Sequence, residues 1–414
     1  MLQQRVVITG LGVVAPNGIG KEAFWQAQLE GLSGVRTIRR FDTSRYDTHI
    51  GGEINDFDPL GYFDPHELKK IDRSNMYAIA AAQMALQDSK VDLAHENRER
   101  FGSSIGNALG GVDYVDKEID VLRDKGPRWG SPYLAIAFFS CGTNGLLSIR
   151  FGLKGPVMTM CNGNTSGSDA IGAAYRTIRS GRADMMLAGA TEAPLVPLFV
   201  GSMSKDGFLS KRNEDPESAL RPFDPTADGM VLGEGAALLV LESLEHATAR
   251  GAHIYAEVAG YASGSSAFDV LRPEPNGKGL VSTMKRALLE AGISADDIPV
   301  VHSQGLSMRD HDLMEARCLW ELFGNSPASP AVTAVSSWTG NSLGGLGAMQ
   351  AASSALMIDQ RAVPGLANTL AAPEVYPLKL QSRTEKNKHV RAVLQTAYCF
   401  MGKSSVLIFK EVVS

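Results

Sequence analysis

Cysteine is scarce in this sequence: 414 residues hold four, Cys141, Cys161, Cys318 and Cys399. None sits in a C-x-x-C spacing, which argues against a disulfide framework or a zinc site and for reduced thiols in a cytoplasmic protein. The eight histidines also lack ligand spacing, so no metal is expected, and no cofactor either. No uninterrupted apolar run approaches the ~18 residues that a membrane-spanning helix needs. The opening MLQQRVVITGLGVV has neither the h-region nor the cleavage site of a secretory signal. Proline- or serine-rich tracts and long charge runs are missing, which leaves no obvious linker or tail. A formal charge of −5 gives no support for binding nucleic acid or an anionic membrane.

What is present is ordinary globular material, 44% hydrophobic, and at ~150 residues per domain the length suits two or three folding units. Short β-branched runs at 5–9, 101–105, 157–161, 185–190 and 236–241 read as buried strands. Between them, 21–32, 76–88 and 165–182 read as helices. The second is so rich in alanine that another element must pack closely on it, and the third opens with Thr and Ser, suited to an N-terminus. Such alternation implies α/β layers around a mostly parallel sheet. A second series of strands follows Gly251, at 254–258, 300–303, 332–336, 392–396 and 405–409, with helices at 280–291 and 349–359. Both series open alike, RVVITGLG against IYAEVAGYA, which suggests two similar halves, 1–250 and 251–414. Residues 213–228, with Pro216, Pro222 and Pro225, read as a long ordered loop.

The segment Gly10-Leu-Gly12-Val-Val-Ala15 matches the G-x-G-x-x-G/A dinucleotide pattern. Phosphate binding needs a helix to begin there, and Pro16, Asn17 and Gly18 interrupt one, so a turn is the better reading. No P-loop is present, because Gly20-Lys21 is followed by Glu22. The stretch 221–242, RPFDPTADGMVLGEGAALLVLE, is the most specific in the chain. Its Gly229, Gly233 and Gly235 suggest close backbone approach or positive φ ahead of a buried strand.

That segment resembles the β-ketoacyl-acyl carrier protein synthases of the thiolase superfamily. So do RVVITGLGVVAPNG, DRSNMYAIAAAQMAL, GPVMTMCNGNTSGSDAIG, RGAHIYAEVAGY and TGNSLGGLGA, which together span nearly the whole chain. The resemblance implies a thiolase-like α/β fold, two similar halves in a five-layered αβαβα arrangement. In that family a cysteine at a helix N-terminus takes the acyl chain, its thiolate favoured by the helix dipole. Two histidines assist malonyl decarboxylation and stabilise enolate and oxyanion, and a lysine supports them.

Each of those positions is altered. The family's T-A-C-x-S-G becomes Asn162-Gly163-Asn164-Thr165-Ser166-Gly167, with Asn164 at the nucleophile position. N-A-H-G-T becomes His302-Ser303-Gln304-Gly305-Leu306, with Gln304 at the first histidine. The lysine position falls on Ser336, leaving Glu315 without its partner, and the second histidine, in T-G-H-x-x-G, falls on Asn341. The family's G-F-G-G gate, built around Phe400, reads Cys399-Phe400-Met401-Gly402. A carboxamide has no dissociable nucleophile, and loss of one member of a cooperating set commonly costs about 10⁴–10⁶ in rate. Neighbouring replacements are poor: Cys161 reads as a packed strand-end thiol, and His302 as a satisfied structural histidine set back by about 6–7 Å along a strand.

A scaffold kept without its chemistry resembles the chain length factors of bacterial type II polyketide synthases. These lack the cysteine and pair as heterodimers with a catalytic ketosynthase subunit. They shape the closed end of the tunnel into which the partner's chain extends from acyl carrier protein with malonyl units. The aromatic class usually carries Gln at the cysteine position, so Asn164 leaves room for a reduced, polyene-forming system. By the same resemblance, residues 108–122 are the partner-facing tunnel segment, with Leu109, Val112, Asp113 and Asp116 toward the tunnel. There Val112, Val115, Ile119 and Leu122 make an apolar helical stripe, and Asp113, Asp116 and Asp120 an acidic one. Asp113 reads either as solvated or as a carboxylate at the tunnel end, where burial demands a partner. The alternative to the chain length factor is a free-standing acyltransferase or hydrolase of the same fold acting through Cys161 or His302.

Overall fold

The computed structural model describes residues 3–324, 329–370 and 372–413. Its strands are β1 (Val6–Ala15), β2 (Phe101–Gly106), β3 (Val157–Met160), β4 (Met185–Glu192) and β5 (Gly235–Ser243), then β6 (Ala256–Ser265), β7 (Val300–His302), β8 (Ala331–Thr333), β9 (Ala392–Tyr398) and β10 (Lys403–Lys410). Together with a short strand, Gly18–Ile19, folded back on β1, they form one eleven-stranded sheet in the order β8-β7-β9-β10-β6-β1-β5-β4-β2-β3. Counted within each series the order is the same, third, second, fourth, fifth, first, and the two series meet where β6 pairs antiparallel with β1. The repeat glimpsed in the sequence is therefore a repeat of winding.

The sheet is mixed rather than mostly parallel. β2 runs parallel to β3 and β4, and β7 to β8 and β9, but the fifth strand of each series lies antiparallel to both of its neighbours. For β10 the reason is connection length: β9 reaches it through residues 399–402 alone, a turn too short for the crossover that parallel strands require, whereas the long stretch 193–234 between β4 and β5 imposes no such limit.

The main helices are α1 (Lys21–Glu30), α2 (Arg73–Ser89), α3 (Val112–Lys125), α4 (Gly142–Phe151), α5 (Ser166–Arg179), α6 (Lys278–Ala291), α7 (Arg309–Phe323) and α8 (Leu346–Asp359). α5 and α8 lie between the two halves of the sheet, and α8 is buried along nearly its whole length. Ala237, Leu239 and Leu241 of β5 pack toward them, whereas Ala236, Leu238 and Val240 pack toward α2 on the opposite face. In β10, Leu407 and Phe409 pack inward, while Val406 and Ile408 meet the cluster that holds α6 and α7. A strand buried on both faces carries apolar side chains at every step. The outcome is five layers, helix and sheet alternating, as the resemblance implies.

Gly10 and Gly12 lie inside β1, not in a turn. A Cβ on either would overlap a carbonyl oxygen of α2, that of Ala85 or Ala81. They are the close contact that the alanine-rich helix demands, which leaves no role for a phosphate. Several strands also differ from expectation: β1 runs on to Ala15 and β6 to Ser265, well past the expected ends at 9 and 258. β3 is an edge strand with Val157 51% exposed, not a buried one, and β8 ends at Thr333, so that Ser336 begins a short helix, Ser336–Thr339. α4 and α7 carry no expectation from the sequence. No helix among the described residues is long and apolar enough to cross a membrane.

Candidate functional site

Loops that follow the carboxyl ends of β3, β7, β8 and β9 converge on one buried cluster. Asn164 stands in the tight turn Gly163–Thr165 that leads into α5, and Asn341 just before the turn Leu343–Gly345 that leads into α8. Both side chains are buried, and Asn164 Nδ2 donates to Asn341 Oδ1 at 3.4 Å. That oxygen also accepts from the Leu343 N–H at 3.0 Å, while Asn341 Nδ2 points to the thioether of Met230 at 3.2 Å. The carboxamides thus spend their hydrogen bonds on each other and on the scaffold.

Gln304 lies two residues beyond β7. Its Oε1 accepts from the Tyr398 N–H, and its Nε2 is buried without a partner. Glu315 on α7 has no lysine, as expected, but other donors satisfy it. It accepts from the backbone N–H groups of Gln304 (3.0 Å) and Gly305 (3.1 Å) and from the hydroxyls of Thr396 (2.5 Å) and Tyr398 (3.2 Å). Burial pushes its pKa above the usual carboxylate range. Ser336, at the lysine position, donates to the Gly305 carbonyl at 2.5 Å. The structure therefore brings Asn164, Gln304, Ser336 and Asn341 together, tied by short links, with no thiolate–imidazole pair among them.

The neighbouring candidates also resolve. His302 is fully buried: its Nε2 accepts from the Val335 N–H at 3.1 Å, so Nδ1 carries the proton toward Ser354 Oγ at 2.9 Å. Burial lowers its pKa to about 3, which fits a structural, neutral imidazole. Cys161 is exposed, not packed, with Sγ 3.6 Å from the Ala108 carbonyl, because β3 is an edge. Phe400 packs against Phe208 (ring centroids 5.0 Å apart) and the edge of His311 (5.6 Å). Cys399, read in the sequence only as a filled gate glycine, lies directly on Asn164, Sγ 3.4 Å from its backbone nitrogen.

A profile of the β-ketoacyl synthase N-terminal domain matches residues 3–247, and one of its C-terminal domain matches 255–369. The chain belongs to the β-ketoacyl synthase family. It is 37% identical to 3-oxoacyl-[acyl-carrier-protein] synthase 2 of Coxiella burnetii over the full length of both chains. To the enzyme of the same description from Synechocystis it is 35% identical, over 99% of this chain and 98% of that one. Among solved structures it resembles a type II polyketide synthase acyl-carrier protein in complex with its ketosynthase bound to the hexaketide (TM-score 0.90, 32% identity, covering 99% of this chain and 100% of that one). It also resembles the ishigamide ketosynthase/chain length factor (TM-score 0.93, 28% identity, covering 99% and 100%).

In this chain the segment after β2 is fixed from behind. Glu192, fully buried at the end of β4, accepts from the N–H groups of Ala108 (2.5 Å) and Leu109 (3.2 Å), and burial raises its pKa to about 8. Leu109 packs in the same cluster as Phe208 and Phe400. Along α3 burial does not follow the two expected stripes: Val115 is half-buried and Asp120 exposed. Asp113 is the buried residue of the helix, ion-paired to Arg73 (2.8 Å) and Lys117 (2.7 Å), so it is not on a solvated face. Val112 is half-buried, and Ile119 and Leu122 are exposed. Asp116 is also half-buried, which raises its pKa. Arg73 and Glu234, which the sequence did not single out, anchor this corner. Glu234 is buried against Arg40, Arg73 and the hydroxyl of Tyr77.

Proposed function

We propose that this chain is a noncatalytic chain length factor, the ketosynthase-like partner of an active ketosynthase in malonyl-based polyketide elongation. The observation that carries the reading is the carboxamide cluster. Asn164, Gln304 and Asn341 fill the places of the cysteine and both histidines, inside a ketosynthase fold that is otherwise kept. A set of cooperating groups lost together leaves no more rate than the loss of one.

The surface supports a partner. The strand β3 ends the sheet, and the side chains of Trp129, Ile136, Phe138, Phe139, Ile149 and Val157 are exposed, large apolar groups of the kind a partner's face would cover. In this reading the ketosynthase subunit covers that face in a heterodimer and supplies the thiol and imidazoles. Acyl carrier protein delivers acyl and malonyl groups to the pair in the cytoplasm. Leu109, Val112, Asp113 and Asp116 shape the tunnel segment from this side, with Phe400 at the gate. Asn164 in place of Gln leaves room for a reduced, polyene-type product.

The test is co-expression with a ketosynthase encoded beside it, followed by the native mass of the complex and elongation assays on the pair and on each chain alone. A 1:1 complex active only as the pair is expected. Elongation of a thioester by the isolated chain overturns the reading.

A further inference from the structure

Two small positions in the cluster have exchanged size. Where the family pattern has Ala in T-A-C and Gly at the start of G-F-G-G, this chain has Gly163 and Cys399. The two face each other: a Cβ on Gly163 would collide with Cys399 Sγ. The sulfur that gains this room accepts from the Asn164 N–H at 3.4 Å, and its S–H reaches Asn164 Oδ1 at 3.9 Å. Residue 164 is thereby closed from both its backbone and its side chain.

We infer that Cys399 is a specificity residue that seals the acyl-binding position. A thioester carbonyl approaching residue 164 needs the backbone N–H groups at the amino end of α5, where negative charge develops. The Cys399 sulfur occupies the space in front of the one belonging to Asn164. The thiol does not replace the missing nucleophile, because burial pushes its pKa up and holds it protonated. Met401, with φ of +66° where the family has Gly, adds a side chain to the same turn in a backbone conformation that side chains rarely adopt. This inference rests on the noncatalytic reading and gives it a second lock: restoring a cysteine at position 164 does not reopen the site.

The experiment compares Asn164→Cys with the combined variant Gly163→Ala/Asn164→Cys/Cys399→Gly, each incubated with hexanoyl-N-acetylcysteamine under reducing conditions. In the step measured, the sulfur of the new cysteine attacks the thioester carbonyl. The hexanoyl group moves to that sulfur, and N-acetylcysteamine leaves as a thiol carrying the displaced proton. Peptide mapping separates position 164 from the exposed Cys141 and Cys161. Acylation at position 164 at least tenfold faster in the combined variant is expected, and equal rates overturn the seal.

A second measurement needs only the single substitution. Treating Asn164→Cys with glutathione disulfide joins position 164 to Cys399. The two thiols give up two protons and two electrons, and the oxidant becomes two glutathione thiols. A peptide map without that cross-link also overturns the inference. Neither result bears on whether the unaltered chain elongates a thioester by itself, which is the separate test of the noncatalytic reading.

Discussion

The guanidinium of Arg73 on α2 holds the carboxylate of Asp113 on α3 at 2.8 Å, with both side chains nearly out of solvent. This pair joins a helix packed on the sheet to the segment that the resemblance assigns to the tunnel. Asp113→Ala leaves Arg73 only Glu234, whose Oε1 is 3.5 Å from Nε. Removing one partner of a buried pair strands the other, and a loss of about 1–3 kcal/mol is expected in urea unfolding at neutral pH. An unchanged midpoint would mean that the pair contributes nothing to stability.

His302 sets a pH dependence. Its pKa is about 3 when folded, against ~6.5 in an unfolded chain, so below ~6.5 the unfolded state binds the extra proton and stability falls with falling pH. Between pH 7 and 5 this single group removes about 2 kcal/mol. His311, pushed down to about 4 by burial, acts in the same direction. Urea midpoints of the unaltered chain and of His302→Phe at the two pH values are the check, with a visibly smaller pH effect expected in the variant.

Gly12→Ala is expected to prevent accumulation of folded protein. Its Cβ would enter the backbone of α2 at Ala81, where no flexible side chain can move aside, and forced overpacking costs about 1–3 kcal/mol or more. Soluble yield and thermal midpoint are the readouts, and a normal midpoint would remove Gly12 from the packing argument.

Asn164→Cys by itself is expected to give no condensing activity with acyl and malonyl groups on acyl carrier protein. Gln304 and Asn341 still supply no imidazole, and Cys399 still covers position 164. Product formation above the unsubstituted background would show that the chemistry does not depend on those positions.

Ile149→Glu probes the apolar face. The side chain is 83% exposed, so the fold is expected to keep its thermal midpoint, while co-purification with the ketosynthase partner falls at least tenfold. A complex recovered at full yield would move the interface elsewhere.

Most of the fold was legible because the signals are local and strong. Strands such as β5 and β10, buried on both faces, are continuous apolar runs, and the alanines of α2 announce a close neighbour, found in Gly10 and Gly12. The order and direction of the strands was not legible, since it depends on where each connection lands. β3 reads as an interior strand because Val157, Met158 and Met160 are apolar, yet it stands at an edge. An edge strand rich in apolar residues has the same composition as a core strand. The replacements at the site were visible through the family's motifs, but their consequences were not. Motifs name positions one at a time, whereas the contact of Cys399 with Asn164 spans 235 positions, and the donors around Glu315 come from two segments distant from each other in sequence, 304–305 and 396–398.

The two central helices carry a last consequence. α5 and α8 begin at the same place, Asn164 before one and Asn341 before the other, so the positive ends of two helix dipoles meet over a pair of neutral amides. The field that would steady a thiolate persists, while Asp169 in the first turn of α5 is held by Asn162, Thr165 and Tyr261. An electrostatic preference for negative charge is thus built into the helix ends themselves, independently of which residue stands at position 164.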